Sequence, residues 1–116
     1  MKGVLYHNIY SPPSRMAFLA AKNLTPDLEI FDLDIFHGAQ NTPDFLKMNP
    51  MHQVPTLDHD GFIVTESRAI MIYLASLVNS PYYPANDLKK KILVDSRLFM
   101  DATNTTYVVK NFAVRN

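Results

Sequence analysis

Three short stretches of the sequence contain residue types that can hold an anionic, peptide-like ligand. The first is Ser11-Pro12-Pro13-Ser14-Arg15, in which a hydroxyl precedes two prolines that suit the first positions of a helix. A hydroxyl in that place lies beside unpaired backbone N–H groups and the positive end of the helix dipole. It can therefore stabilise an anion, including a thiolate supplied by a ligand. An ordinary helix N-cap explains the same residues, so this stretch alone is a weak signal.

The second stretch is Val54-Pro55-Thr56, which places a proline inside an apolar strand pattern. Proline cannot donate a hydrogen bond to a neighbouring strand, so Pro55 must lie at a sheet edge, at a bulge or in a cis bond. The missing donor leaves an edge to which an extended peptide ligand can add its own backbone. A protective edge proline is the alternative, and the residue types do not decide between the two.

The third stretch, Glu66-Ser67-Arg68, lies at the start of a predicted helix. Ser67 and the nearby N–H groups can bind a carboxylate, and Glu66 and Arg68 offer one charge of each sign for an amino-acid head group. The alternative is an ordinary helix start with an exposed ion pair, which contributes about 0–1 kcal/mol.

The composition excludes several classes of protein. The 116 residues include 11 basic and 11 acidic side chains, so the chain lacks the basic excess that nucleic-acid binding needs. The absence of cysteine excludes disulfide scaffolds, thiolate zinc sites and any mechanism with a protein thiol. Four histidines without paired ligand spacing predict no metal site. No stretch is long and apolar enough to span a membrane, so we expect a cytoplasmic protein with no membrane or nucleic-acid partner.

Apolar and turn residues predict short strands that alternate with helices in the first 80 residues. Strands are predicted at 4–6, 28–35, 54–57 and 62–64, and helices after Ser11, over 42–49 and from Ser67. The order β-α-β-α-β-β-α predicts an α/β domain with a small mixed sheet. A crossover helix makes the first two strands parallel, and the turn at 58–61 makes the last two antiparallel.

Apolar residues recur at helical spacing in two of these segments. Met16, Leu19 and Ala20 share one face of the first helix. The strongest helical pattern is in the third helix, where Ile70, Tyr73, Leu74 and Leu77 follow the i, i+3, i+4, i+7 spacing.

A change of charge follows the turn-rich segment 82–86. Residues 1–84 have five basic and eight acidic side chains, a net charge of −3, whereas residues 85–116 have six and three, a net charge of +3. We therefore predict a domain over 1–80, a linker over 81–86 and one helix over 87–116. Residues 103–109 are rich in threonine and valine, so only tertiary packing can keep that part helical.

Taken together, the three stretches resemble the cytosolic glutathione transferases of the insect delta and epsilon classes. The likeness lies in Ser11-Pro12-Pro13-Ser14-Arg15, in Asn49-Pro50-Met51-His52-Gln53-Val54-Pro55-Thr56-Leu57, and in Asp60 to Ile70 with Tyr73-Leu74, in this order and at matching spacing. It covers residues 3–84 and continues more weakly over 87–101. It implies a thioredoxin-like domain followed by one helix of a truncated all-α domain.

The resemblance implies one catalytic residue. The serine that matches Ser11 donates a hydrogen bond to the glutathione sulfur and favours the thiolate, which then attacks an electrophilic carbon. The proline that matches Pro55 is cis in the family, and the backbone at Val54 pairs with the cysteinyl unit of glutathione.

The resemblance also implies how the two ends of glutathione are held. The positions matching Glu66, Ser67 and Arg68 hold the γ-glutamyl end, and His52 lies near the glycine carboxylate. Gln40 stands where several relatives have a histidine at the glycine end, so it brings hydrogen bonds but no charge.

Two functions remain open at this point. The first is a detoxifying transferase that uses glutathione as co-substrate without a cofactor, takes a small hydrophobic electrophile, and is a homodimer in its full-length form. The second is a non-catalytic glutathione-binding or dimerisation module, because the family's second domain forms most of the electrophile pocket and 87–116 has room for one helix. Tyr107 is the candidate pocket residue on that helix.

Overall fold

A four-stranded mixed sheet forms the centre of the first part of the chain. In the computed structural model, which describes residues 1–105, the strands are β1 (Gly3–His7), β2 (Glu29–Asp32), β3 (Thr56–His59) and β4 (Phe62–Thr65). The helices are α1 (Pro12–Leu24), α2 (Pro43–Met48), α3 (Ser67–Leu77) and α4 (Leu88–Met100), with 3₁₀ turns at Ile35–His37 and Ala39–Asn41 and a π-helical turn at Asp101–Thr105. The strand order is β2-β1-β3-β4, with β1 parallel to β2 and the other pairs antiparallel. The predicted element order and mixed sheet are confirmed.

The chain separates into two compact units. The first is Met1–Val78, and the second begins at Asn79. The division into a domain at 1–80, a linker at 81–86 and a helical segment at 87–116 stays a prediction. Residues 106–116 of that segment, with Tyr107, lie outside the described residues. Among residues 1–105, none of the helices combines the length and the apolar character needed to span a lipid bilayer.

The core of the first unit lies between the sheet and the helices α1 and α3. Its buried members are Leu5, Ala17, Ala21, Leu28, Leu57, Ile70 and Leu74. The apolar residues that share one face of α1 are not its buried ones, because Leu19 is 59% exposed and Ala17 and Ala21 are buried instead. Helix α1 packs directly against α3, and small side chains at that contact let the two backbones approach closely. The larger residues of α1 therefore remain nearer the surface.

Strand β2 is shorter than predicted. It pairs with β1 from Val4–Glu29 to His7–Asp32, and the pairing stops because β1 itself ends at His7. Ile35, predicted as strand, lies instead in a 3₁₀ turn. The Leu33 N–H still donates to the His7 carbonyl at 2.8 Å, so the chain leaves the sheet immediately beyond that bond.

The second unit contains α4, which begins after the N-cap Asp87. Within this unit the Tyr83 hydroxyl donates to Asp95 at 2.8 Å, and Lys91 forms an ion pair with the same carboxylate at 3.0 Å. The hydrogen bonds from Lys91 and then from Tyr83 lower the pKa of Asp95. No residue of α4 is buried, so the helix is held at this point by polar contacts to the preceding segment.

A buried hydrogen-bond network fixes the loop between α2 and β3. The Asn49 side-chain amide donates to the Gln53 carbonyl at 3.1 Å and to the Thr56 hydroxyl at 2.9 Å, and its oxygen accepts from the Met51 N–H at 3.0 Å. The Thr56 hydroxyl in turn donates to the Gln53 carbonyl at 2.8 Å. Asn49 is 2% exposed and Thr56 is fully buried, so water cannot replace these partners.

We expect Asn49→Ala to lower the free energy of unfolding by about 2–3 kcal/mol, because the buried Thr56 hydroxyl loses a donor and the Met51 N–H loses its acceptor. Asn23→Ala is the control, since Asn23 is exposed on α1 and bonds only the Leu19 carbonyl among the contacts described. That variant should change stability by about 0.5 kcal/mol or less. Urea unfolding measures both, and equal losses would show that the network does not hold the loop.

His7 is a buried titratable residue at the end of β1. It is 7% exposed, its ring stacks on Phe18 at 4.8 Å, and its Nδ1 atom has no hydrogen-bond partner among residues 1–105. Burial lowers the pKa of His7 from the ordinary 6.5, and the negative charge of Asp32 opposes that shift without cancelling it. The native state therefore favours neutral His7.

This burial predicts a loss of stability in mild acid. In the unfolded chain His7 has its ordinary pKa of 6.5, whereas in the native state its pKa is lower. As the pH falls through 6.5, the unfolded state therefore binds more protons than the native state, and the free energy of unfolding decreases. His7→Leu should remove this part of the loss between about pH 7.5 and about pH 5.5. The measurement is urea unfolding of both proteins across that range, and parallel stability curves would contradict the assignment.

Candidate functional site

The sheet register brings three of the predicted stretches to one end of the sheet. Tyr6 pairs with Thr56, and Thr56 pairs with Thr65, so these residues form a row across β1, β3 and β4. Beyond this row β1 continues toward Ser11, β3 is preceded by Pro55, and β4 is followed by the start of α3. The three loops therefore emerge at the same edge.

Ser11 is the N-cap of α1. Its backbone is extended (φ −91°, ψ 117°), and its hydroxyl oxygen accepts from the Ser14 N–H at 3.4 Å. The residue is partly exposed. Because the oxygen acts as an acceptor toward the helix, the O–H can still donate to a group outside it. The helix terminus adds positive potential at the same point.

Asn8, which sequence reasoning did not single out, holds the Ser11 loop together with Ser14. The Asn8 N–H donates to the Ser14 hydroxyl at 2.8 Å, and the Asn8 side-chain amide donates to the Leu33 carbonyl at 3.0 Å. Ser14 is fully buried, so it is a positioning residue, whereas Ser11 presents the accessible hydroxyl. The spacing Ser11-x-x-Ser14 was the available signal, but sequence alone does not tell which hydroxyl is buried. Arg15 adds a bond from its guanidinium to the Ile9 carbonyl at 2.9 Å.

The peptide bond between Val54 and Pro55 is cis, as the resemblance implied. Pro55 is buried and Val54 is partly exposed. Strand β3 begins at Thr56, two residues later than predicted. Val54 thus lies just before the hydrogen-bonded part of β3, and the Asn49 network holds the backbone on either side of it.

The start of α3 combines an unusual backbone with two charges. Glu66 has φ 71° and ψ 121°, is exposed, and makes no side-chain hydrogen bond that caps the helix. Ser67 is only 2% exposed, and its hydroxyl accepts from the Arg68 guanidinium at 3.3 Å. Glu66 and Arg68 are therefore the more accessible members of this group. Only a small part of Ser67 is accessible to a ligand.

His52 and Gln40 lie in the loops that flank this end of the sheet. His52 is exposed with φ 45°, and its N–H donates to the Asn49 carbonyl at 3.0 Å. Gln40 lies in the second 3₁₀ turn, after β2, whose carboxyl end is on the same side as that of β1. Its side-chain oxygen is buried and accepts no hydrogen bond from the described part of the chain, so it has a vacant acceptor position. Over residues 1–105, histidine and carboxylate side chains form no group suited to a metal ion.

Comparison with known proteins identifies the family. Residues 1–76 match the glutathione S-transferase N-terminal domain. Glutathione S-transferase D7 of Anopheles gambiae is 41% identical over 103 residues, which are 87% of this chain and 47% of that protein. The chain spans about half the length of the curated relatives it matches.

Solved structures give the same result. A delta-class glutathione transferase of Nilaparvata lugens is similar with a TM-score of 0.81 and 44% identity, over 87% of this chain and 48% of that one. An epsilon-class glutathione S-transferase of the housefly, Musca domestica, has a TM-score of 0.80 and 38% identity, over 88% and 47%. The chain belongs to the glutathione S-transferase family, among the insect delta and epsilon types, through its N-terminal domain.

Proposed function

We propose that this chain is the glutathione-binding half of a transferase that joins the glutathione sulfur to apolar electrophiles. The observation that carries the proposal is the accessible Ser11 hydroxyl at the N-terminus of α1, at the sheet end that Val54 and the start of α3 also reach. Membership of a family whose relatives are named glutathione S-transferases supports the choice of glutathione among anionic, peptide-like ligands.

Ser11 acts by favouring the glutathione thiolate. A free thiol with a pKa near 8.5 is only a few per cent ionised at neutral pH. Lowering that pKa by two units takes about 2.7 kcal/mol of differential stabilisation. A charge-assisted hydrogen bond from the Ser11 O–H contributes roughly 1.5–3 kcal/mol, and the α1 terminus adds to it. The thiolate then attacks the electrophilic carbon directly, without a covalent enzyme intermediate.

The remaining contacts orient the tripeptide. In the proposal the Val54 backbone pairs with the cysteinyl unit, beside Pro55, which has no N–H of its own to donate. Glu66 attracts the γ-glutamyl ammonium group, while Arg68 and the Ser67 edge hold its carboxylate. These charges match the zwitterionic head group of the γ-glutamyl unit.

The glycine end of glutathione lies toward His52 and Gln40. The exposed His52 ring can donate to the glycine carboxylate. The side-chain amide of Gln40, a partly exposed residue, can donate a hydrogen bond to the same carboxylate. Gln40 therefore recognises the ligand by hydrogen bonding alone.

The partners and the location belong to the same proposal. The co-substrate is a small hydrophobic electrophile, and the full-length protein is a cytoplasmic homodimer. Apolar side chains exposed on α4 support further helical or subunit packing there: Leu88, Ile92, Leu93 and Phe99.

Ser11→Ala should raise the thiol pKa of bound glutathione by about one to two units, because a bond of 1.5–3 kcal/mol to the thiolate is lost. Affinity for glutathione at neutral pH should stay within a few-fold. The ultraviolet absorbance of the thiolate, titrated against pH with saturating glutathione, gives this pKa directly. The rate of conjugation of glutathione to an aryl halide should fall by about ten- to a hundred-fold.

Two variants separate the hydroxyl from the helix cap. Ser11→Thr keeps a hydroxyl and an N-cap and should retain most of the pKa shift. Ser76→Ala removes an exposed hydroxyl elsewhere, on α3, and should change nothing. An unchanged thiol pKa in Ser11→Ala would remove Ser11 from the mechanism, whereas failure of the unmodified chain to bind glutathione would overturn the proposed function itself.

Arg68→Ala should weaken glutathione binding by about tenfold, because a charge-assisted contact to the γ-glutamyl carboxylate is lost. Arg97→Ala removes an exposed arginine from α4 and serves as the matched control. Calorimetric titration of the folded variants with glutathione gives both affinities. If the two variants bind equally well, Arg68 does not hold the γ-glutamyl end.

A further inference from the structure

A cavity lies on the face of the sheet opposite α1 and α3, under α2. We call it the α2 groove, and its lining residues include Tyr6, Phe31, Asp44, Phe45, Lys47 and Asp58. Its volume is about 550 Å³, within the range of sites for small molecules. Side chains alternate along a strand, so Tyr6 faces this groove while its neighbour Leu5 faces the core under α1 and α3. None of the residues proposed to bind glutathione lines the groove.

Aromatic rings form one wall of the α2 groove. The Tyr6 ring lies 5.4 Å from that of Phe31 at an angle of 53°, and 6.0 Å from that of Phe45 at 75°. Phe45 is buried, but Phe31 is 47% exposed, so part of this ring cluster is open to a ligand. The face of an aromatic ring attracts a cation and also stacks with a flat apolar ring.

The charged rim of the groove is acidic on balance. Two carboxylates, Asp44 and Asp58, lie there with one ammonium group, Lys47. The Gly61 N–H donates to Asp58 at 2.8 Å, which fixes the orientation of that carboxylate. An anionic ligand would therefore meet net repulsion, whereas a cation would find both carboxylates and the ring faces.

We infer that the α2 groove binds a small planar organic cation, with an aromatic body and a quaternary or protonated nitrogen. The rings and the aliphatic side chains of Leu33, Met48 and Ile63 contact the flat body. Asp44 and Asp58 balance the positive charge. The site is separate from the one proposed for glutathione and does not depend on it.

The test compares two matched probes on the full chain. 1-Methylquinolinium carries a permanent positive charge, and quinoline has the same ring system but is neutral at pH 7.5. Amide chemical shifts, followed by NMR during titration, give both the affinity and the location. The cation should bind at least about tenfold more tightly than quinoline, because it gains attraction to the ring faces and to two carboxylates. Its shifts should centre on Phe45, Lys47 and Gly61.

Three variants test whether the preference for the cation over quinoline arises in the α2 groove. Asp58→Asn keeps an oxygen that can accept from the Gly61 N–H but removes the charge, so it should weaken cation binding several-fold and leave quinoline binding unchanged. Phe31→Leu keeps an apolar side chain and should weaken both probes. Asp60→Asn is the control, because it removes one negative charge next to the same turn but outside the groove, and asparagine tolerates its φ of 51°.

Three results would overturn the proposal. The first is equal affinity of the two probes for the unmodified chain. The second is an equal loss in Asp60→Asn and Asp58→Asn, which would indicate attraction by overall charge only. The third is a shift pattern outside the groove. Repeating the titration with saturating glutathione should leave the cation affinity unchanged, and displacement would mean that the two sites overlap.

Discussion

The antiparallel pairing of Tyr6 with Thr56 is the constraint on which the rest of the first unit depends. It sets the register between β1 and β3, and β3 then sets the register of β4 through Thr56 and Thr65. A slip of one residue would turn Leu57 out of the core and bring Thr56 toward it, so burial holds the register firmly. The same pair brings the Ser11 loop, the segment before Thr56 and the start of α3 to one end of the sheet.

Packing on the two faces of this sheet explains why the two proposed sites differ. On one face, Ala17 and Ala21 let α1 pack closely against α3, so the two helices cover that face of the sheet. Their N-termini lie near the proposed glutathione site. On the other face, the six-residue helix α2 is too short to cover the sheet and leaves Phe31 half exposed. The proposed glutathione site therefore consists of helix N-termini and backbone at one end of the sheet. The α2 groove consists of aromatic ring faces that α2 covers only in part.

The sequence predicted the parts of the structure that local rules control. Ser11 with two prolines marked the start of α1, and the 58–61 turn marked the hairpin. Pro55 was predicted to lie at an edge, at a bulge or in a cis bond, and the bond is cis. The inward face of α1 could not be predicted from apolar spacing alone, because the close approach of α3 favours alanine over leucine there. The Asn8 side chain bonds the Leu33 carbonyl, which is distant in the sequence, so no local pattern indicates that contact. The Asn49 network joins residues within one short loop, and the motif that contains them was part of the family resemblance.

Glu66 is the residue whose local conformation is least explained by stability. A residue other than glycine at φ 71° and ψ 121° costs of order 1–3 kcal/mol, which glycine would avoid. Its carboxylate neither caps α3 nor lies buried, so it gives the helix no hydrogen bond in return. Strain of this kind is found where surrounding structure holds a residue for a purpose other than folding. Here β4 ends at Thr65 and α3 begins at Ser67, so the chain must turn within the single residue Glu66. That turn carries a negative charge at the sheet end where we propose that the γ-glutamyl ammonium group binds, and the strain is the structural consequence of having a charged residue, rather than glycine, in the turn.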